Sequence, residues 1–412
     1  MPLDRLHTAL EAHLEELAEK GTAKGAEAVI VEVLPARGER GPRYRLEGCG
    51  EREFIKMNSN GYLGLSLHPE LIAAEEEASR SFGTGPGAVR FISGTYRQHV
   101  ELERRLAAFH GREAAMAFSS AYATVMGILP PLIDDGTVVI SDELNHNCII
   151  NAMRLARPAE KLVYGHNDMK KLEGALNQAV GKARRAILVT DGIFSMRGDH
   201  APLATIVDLA RRYDAQFPEN VVVVVDDSHG VGAFGKTGRG TEEYTGARAD
   251  ILVATLGKAL GVNGGYVVGP ETMIRFLRET SPFYIYSNPI TPAEAAAAGK
   301  AVEILDGQEG RRLLAHLHEM TERFEKGLVD LGYETIPGDH PVTPLMVRDT
   351  AKTARLVGHL KKHGVLATGL KFPVVPRGDE TIRFQVSADH TEADIDQVLS
   401  VLESFPEREQ AS

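Results

Sequence analysis

The stretch Val221-Val222-Val223-Val224-Val225-Asp226-Asp227-Ser228-His229 decides the fold. Five consecutive valines leave no polar face, so a strand built from them must be covered on both sides, as in a parallel sheet sandwiched by helices. The same design recurs at Thr137–Ile140, Ala186–Val189 and Ile251–Ala254, with helical segments between the runs. The repetition predicts an α/β architecture with a mostly parallel central sheet. Each run ends in polar residues: Ser141-Asp142, Thr190-Asp191, Asp226-Asp227 and Thr255. Open α/β sheets bind ligands outside the carboxyl ends of their strands, so these positions are where chemistry is expected. Gly264 to Gly269 reads as one further strand.

Thirty residues after the valine run comes Thr255-Leu256-Gly257-Lys258-Ala259-Leu260-Gly261. A lysine at the end of a buried strand, fenced by small residues, is placed for chemistry, since an ordinary lysine prefers a solvated face. Two buried strands would then deliver Asp226, His229 and Lys258 to one edge of one sheet. Pyridoxal phosphate needs such a set: an amine for its aldehyde and a carboxylate for its ring nitrogen. A carboxylate buried at a strand end is costly unless it meets a cation or a donor, which a protonated ring nitrogen supplies. Other readings stand beside this one. The lysine also fits a helix start whose amine reaches water, and Asp-Asp-x-His is an acceptable set of metal ligands. No further acidic or histidine cluster at ligand spacing accompanies it, so no metal is expected.

Ser119-Ser120-Ala121-Tyr122 follows Ala115–Phe118 and should start a helix over Thr124–Leu129. Its backbone N–H groups suit a phosphate, and a plain serine cap reads the same sequence equally well. His146, just past a strand end, could stack on a cofactor ring or be one ordinary histidine among 15. The glycine-rich segment Gly83–Val89, followed by Arg90 and Ser93-Gly94-Thr95, lacks the strand–turn–helix setting of a dinucleotide loop. It is either a shaped loop near the site or a structural turn. Arg383, alternating with Ile382, Phe384 and Val386 on a late strand, points away from their buried face. It suits a substrate carboxylate or open water.

With 412 residues, 43% hydrophobic and 25% charged, the chain has material for two or three domains and a sizeable core. A net charge of −11 without a Lys/Arg cluster argues against nucleic acid or an anionic membrane as partner. Two cysteines, Cys49 and Cys148, make no disulfide framework and fit a reducing cytoplasm. Met1–Lys20 lacks a signal-peptide core, and no apolar run is long enough to span a bilayer, so a cytoplasmic protein is expected. Leu3, Leu6, Leu10, Leu14 and Leu17 form a helical stripe that should pack on something. Helices are also expected at Pro69–Phe82, at His99–Phe109 with Leu102, Leu106 and Phe109 inward and Gly111 as the cap, and at Ala293–Leu305. Composition divides the chain into residues 1–65 (helix and short strands), 66–290 (a large domain) and 291–412 (a small domain).

The chain resembles the α-oxoamine synthases, fold-type I pyridoxal-phosphate enzymes that condense an amino acid with an acyl-CoA. The likeness runs from about residue 45 to residue 400. It rests on Asn58–Leu65 (NSNGYLGL), Gly83–Glu103 with RFISGT and HVELE, Ser141–His146 (SDELNH), Thr190–Asp199 (TDGIFSMRGD), Asp226–Gly232 (DDSHGVG), Gly238–Gly240, Thr255–Gly261 (TLGKALG) and Ile382–Thr391 (IRFQVSADHT). Within the family, DDSH, Gly238–Tyr244 (GRGTEEY) and Phe372–Pro376 (FPVVP) look most like the glycine C-acetyltransferases, which join glycine to acetyl-CoA to give 2-amino-3-oxobutanoate. The neighbouring alternatives are decarboxylating synthases, such as those of 8-amino-7-oxononanoate or with loose acyl and amino-acid choice. An aminotransferase of the same fold is more distant. The resemblance implies Lys258 as the cofactor-bonding lysine, Asp226 on the ring nitrogen, His229 on the ring oxygen and His146 stacked over the ring. It places Ser195 near the ring oxygen or substrate, and Ser120, Ala121, Tyr122 and Thr255 on the phosphate. Arg383 and Asn60 would meet the substrate carboxylate. Ser287 would reach the phosphate of a second subunit, implying a homodimer with shared sites. Three departures fall on the substrate side: Gly61 where a second asparagine is usual, Arg197 where an aspartate is usual, and Asn147-Cys148 where Ala-Ser is usual.

Overall fold

Runs that must be buried on both faces become the middle of one sheet. The computed structural model describes residues 3–20, 22–23, 25–372, 375 and 377–408. Pro373, Val374 and Pro376 of the FPVVP segment lie outside the described residues. The chain opens with α1 (Asp4–Glu19) and the strands β1 (Ile30–Leu34), β2 (Arg43–Leu46) and β3 (Glu53–Lys56). Two units follow from the contacts: Asn60–Glu319 with Gly338–Pro341, and Met1–Ser59 with Met320–Pro337 and Val342–Ser412. The division falls inside the helix Gln308–Asp330, beyond the change in composition near residue 290.

The large unit contains β4 (Ala114–Phe118), β5 (Thr137–Asp142), β6 (Glu160–Tyr164), β7 (Arg185–Asp191), β8 (Val221–Asp226), β9 (Ile251–Thr255) and β10 (Gly265–Gly269). They form a seven-stranded sheet in the order β4-β10-β9-β8-β7-β5-β6. Strands β6, β5, β7, β8 and β9 are parallel, and β10 runs antiparallel to both β9 and β4. All four apolar runs read from sequence are strands of this sheet, and β5 and β9 are buried at every residue. Two strands were not legible. Glu160–Tyr164 (EKLVY) is an edge strand whose burial alternates without an apolar run to announce it, and Ala114–Phe118 is too alanine-rich to look like a strand. One face of the sheet packs Met116, Ile187, Val224, Val253 and Val267 against helix residues Ile128, Ile149 and Ile274.

Helices α2 (Pro69–Phe82) and α3 (Arg97–Phe109) form where expected, and Leu102, Leu106 and Phe109 are buried. Gly111 follows in a left-handed conformation (φ +58°). The helix Pro292–Asp306, closed at its start by a reciprocal Thr291–Glu294 capping box, packs on α2 and α3 within this unit. The glycine-rich segment ends in a π-helical turn, Arg90–Gly94, held by the buried Arg90–Glu103 ion pair. This explains why RFISGT and HVELE occur together: they are the two halves of one buried charge pair.

The small unit holds two four-stranded sheets among the described residues, one in the order β1-β2-β3 plus Val365–Leu366, and one of Glu334–Thr335, Val342–Met346, Thr381–Gln385 and Thr368–Leu370. Arg43 and Asp394 pair in its interior, and Asp394 also accepts the Gly41 N–H (2.9 Å). The leucine stripe of α1 was expected to pack on something. Leu3, Leu6, Leu10 and Leu14 are instead all exposed. No described helix is long and apolar enough to cross a membrane.

Candidate active site

Strand register brings the site together. Asp191 and Asp226 are direct partners across β7 and β8, so their side chains leave the sheet on the same face at its carboxyl edge. Gly265 is flanked by Thr255 on one side and Phe118 on the other. The loop after β9 and the helix after β4 therefore start next to each other. That helix, α4 (Ala121–Leu132), is capped by Ser120, whose Oγ accepts the Ala123 N–H (3.0 Å). The N–H groups of Ala121 and Tyr122 are among those every helix start leaves for a capping group or ligand. Gly265 permits the approach: a Cβ there would lie 2.3 Å from the Ala121 nitrogen. After β9 the chain folds into a tight turn, with Leu256 N bonded to Gly264 O (2.9 Å) and Gly261 N to Lys258 O (3.0 Å). The turn holds Lys258 over the sheet edge, half-buried.

Ala121, Tyr122, His146, Cys148, Asp191, Ile193, Ser195, Asp226, Ser228, His229 and Lys258 line one small cavity. A larger groove lies at the opposite, amino-terminal edge of the sheet, between Leu132, Ile187, Val222 and Ile251. It lacks a convergent amine, imidazole and carboxylate set, so the smaller cavity is the chemical one. His146 caps α5 (Asn147–Leu155), its Nδ1 accepting the Cys148 N–H (3.3 Å), while its own N–H donates to Asp191 Oδ2 (2.9 Å). Burial, and then the charge of Lys258, lower its basicity against the pull of Asp226. The Tyr62 hydroxyl meets His229 Nδ1 at 2.7 Å, and His340 Nε2 meets the His229 carbonyl at 2.8 Å. Asp226 Oδ1 accepts the Ser228 N–H (3.1 Å). Burial and the adjacent Asp226 push the Asp191 carboxyl well above the usual carboxylate range.

Asp227 behaves differently. Its carboxylate accepts from Thr241 N and Thr241 Oγ1 (both 2.7 Å), and burial pushes its pKa up to about 7. A Cβ at Gly192, Gly230 or Gly240 would collide with it. It is thus sealed among glycines, and does not face one ligand position with Asp226 and His229. The metal reading of Asp-Asp-x-His has no geometric support among the described residues.

Of the residues expected from sequence, Lys258, Asp226, His229, His146, Ala121, Tyr122 and Ser195 share the cavity. Ser120 and Thr255 sit at its border. Thr255 Oγ1 accepts the Gly257 N–H (3.0 Å) and donates to Gly264 O (3.2 Å). Asn60 is one step removed, accepting from the Tyr62 hydroxyl (3.4 Å). Ser287 is half-buried outside the cavity lining. Arg383 belongs to the small unit, where it shares a strand face with Gln385. Tyr62, Asp191, Ile193 and Ser228 were missed as site residues. The Thr190-Asp191 strand end was the available signal for Asp191, and its register opposite Asp226 made it a site residue. A pyridoxal phosphate fits this donor set: an amine, a carboxylate, an imidazole, a helix start, and a buried Ser228 Oγ without a hydrogen-bond partner.

Comparison with known proteins agrees. The family described as aminotransferase class I and II matches residues 52–402. An 8-amino-7-oxononanoate synthase of Bacillus pumilus is 41% identical over 355 residues, 86% of this chain and 88% of its own length. The human mitochondrial 2-amino-3-ketobutyrate coenzyme A ligase is 39% identical over 400 residues, 96% of this chain and 91% of its own. A solved S. paucimobilis serine palmitoyltransferase with bound PLP and myriocin superposes with a TM-score of 0.85 at 26% identity, covering 98% of this chain and 97% of the other. Further relatives of similar identity are again 8-amino-7-oxononanoate synthases. Within the family, the weight of the relatives therefore lies with those synthases more than with the glycine C-acetyltransferases to which DDSH and GRGTEEY pointed. The chain belongs to the class I and II aminotransferases and, among them, to the α-oxoamine synthases, pyridoxal-phosphate enzymes of fold type I.

Proposed function

We propose that this enzyme condenses an amino acid with an acyl-CoA in the decarboxylating manner of an 8-amino-7-oxononanoate synthase. One amino acid and one acyl-CoA give one α-amino ketone, one CoA and one carbon dioxide. The convergence of Lys258, Asp226, His229 and His146 on one cavity beside the start of α4 supports the pyridoxal-phosphate chemistry, and the likeness to 8-amino-7-oxononanoate synthases supports the decarboxylating reaction. When bound, pyridoxal phosphate supplies an electron sink that acidifies the bonds at the amino acid's α-carbon.

The chain's own groups do the rest. Asp226 would hold the cofactor's ring nitrogen protonated, and His229, braced by Tyr62, would meet the ring oxygen. The first amides of α4, with Ser120 and Thr255, would hold the phosphate, joined in a homodimer by Ser287 of a second copy. Lys258 would hold the cofactor through its amine, and as a free amine it would carry the α-proton. His146 would lie against the cofactor and donate from Nε2 to the acyl carbonyl, stabilising charge on that oxygen as CoA leaves as its thiolate. Ser195 and Asn60 would orient the substrate.

The DDSH and GRGTEEY segments favour a second reading, glycine plus acetyl-CoA without decarboxylation on the enzyme. A panel of amino acids against acyl-CoAs of rising length separates the two. Free thiol and carbon dioxide are followed together, with a product-only control for spontaneous decarboxylation. Equal release of both, fastest with longer acyl chains, supports the synthase. Thiol without carbon dioxide from glycine and acetyl-CoA supports the second reading, and no thiol from any pair refutes both.

A further inference from the structure

Cys148 is 2% exposed and lines the same cavity. Its Sγ lies 2.9 Å from His146 Nδ1 and 3.7 Å from Asp226 Oδ2. Its backbone N–H already points at the same Nδ1. A proton on Nδ1 would therefore face an amide donor that has no other role at this helix start. The neutral ring with its hydrogen on Nε2 satisfies the amide, and leaves the thiol hydrogen to choose between Nδ1 and a carboxylate oxygen. Burial, then the charges of Asp226 and Asp191, raise the thiol's pKa far above its usual value. The sulfur is thus a standing donor rather than a nucleophile.

We propose that Cys148 is a positioning residue whose thiol donates its hydrogen to Nδ1 and so holds His146 as the Nε2–H tautomer. This rests on the reading of His146 and Asp226 as cofactor-facing groups, but not on which substrates are condensed. The geometry is continuous. Asp191 holds the His146 backbone, the start of α5 holds Nδ1, and the thiol lies nearer Nδ1 (2.9 Å) than the Asp226 carboxylate (3.7 Å). His146 is thereby kept as a donor toward the cavity.

Two substitutions separate a donor from a space-filler. Cys148→Ser keeps an O–H donor in less volume, whereas Cys148→Val keeps the volume and removes the donor. The readout is nitrogen NMR of ring-labelled histidine in the holoenzyme between pH 5 and 9, with His146 assigned through His146→Gln. In the wild type and Cys148→Ser, the expected pattern is an unprotonated Nδ1 and a protonated Nε2. In Cys148→Val the neutral ring loses a donor, so the His146 titration midpoint should rise by about one unit, roughly tenfold in the protonation equilibrium. A protonated Nδ1 in the wild type overturns the proposal. So does a valine variant that titrates like wild type while the serine variant shifts. Because this signal is read without turnover, the substrate reading can fail while this one stands, and the reverse.

Discussion

Replacing Glu103 by Gln removes the one negative charge from a buried site that holds two guanidinium groups. Glu103 is 6% exposed and accepts from Arg90 Nη1 (3.0 Å), Arg90 Nη2 (3.1 Å), Arg278 Nη2 (2.9 Å) and Ala117 N (3.0 Å). An amide of the same shape offers one oxygen where two carboxylate oxygens took four N–H groups, and turns its own NH₂ toward a cation. Breaking a buried pair by removing one partner costs about 3–5 kcal/mol. Arg278 is a third exposed and can rotate toward water, whereas Arg90 is buried, which favours the lower end, about 3 kcal/mol. That is a large share of a typical stability of about 5–15 kcal/mol. The pH dependence has a definite sign. Burial alone would raise the Glu103 carboxyl, but Arg90 and then Arg278 hold it below its ordinary value of 4.5. Its contribution is therefore complete above 4.5 and is lost as pH falls through the lower folded value. Urea unfolding followed by circular dichroism should show Glu103→Gln less stable by about 3 kcal/mol at pH 7, with the gap narrowing below pH 4. A loss under about 1 kcal/mol at pH 7, or a gap that stays constant into acid, would refute the argument.

Lys258→Ala should abolish the visible absorbance of bound cofactor while leaving far-ultraviolet dichroism unchanged. Persistent absorbance would remove Lys258 from its role. Gly265→Ala places a Cβ 2.3 Å from the Ala121 nitrogen and forces the start of α4 to move. Pyridoxal-phosphate affinity, measured by titrating stripped protein, should fall at least tenfold, about 1.4 kcal/mol. The His166 ring meets Asp142 (3.1 Å) and Asp199 (3.0 Å). Burial would lower its pKa, but these two bonds lift it to about 9. The triad's stabilisation is then complete below the ordinary 6.5 and is lost as pH rises through 9, about 1–2 kcal/mol after allowance for solvent screening. His166→Gln should flatten the alkaline fall in melting temperature between pH 6.5 and 9.5, and an unchanged slope would count against the triad.

What could be read from sequence follows from where burial is symmetric. A strand covered on both faces needs an unbroken β-branched run, so β5, β7, β8 and β9 announced themselves, as did the acids and the lysine that end or follow them. Register leaves no such trace. That Asp191 stands beside Asp226 depends on how β7 aligns with β8, a choice settled by packing across the whole sheet. Asp227 shows the same limit, since it reads as a site acid until glycines at 192, 230 and 240 close around it. Substrate choice is harder still, for a physical reason. The ring nitrogen, ring oxygen and phosphate make identical demands in every member of the family, so the motifs that serve them point to the cofactor and are silent on the acyl group. Selectivity has to come from side chains that touch only substrate, and there the chain departs from its family at Gly61, Asn147, Cys148 and Arg197. Cys148 is turned toward His146 and Asp226. Arg197 is held by Asp199, which also meets His166. Asn147 accepts from the Tyr122 hydroxyl (3.2 Å), which places it beside the cavity wall. Of the four, Asn147 is therefore the position where a single substitution should move amino-acid or acyl preference without disturbing the cofactor's spectrum.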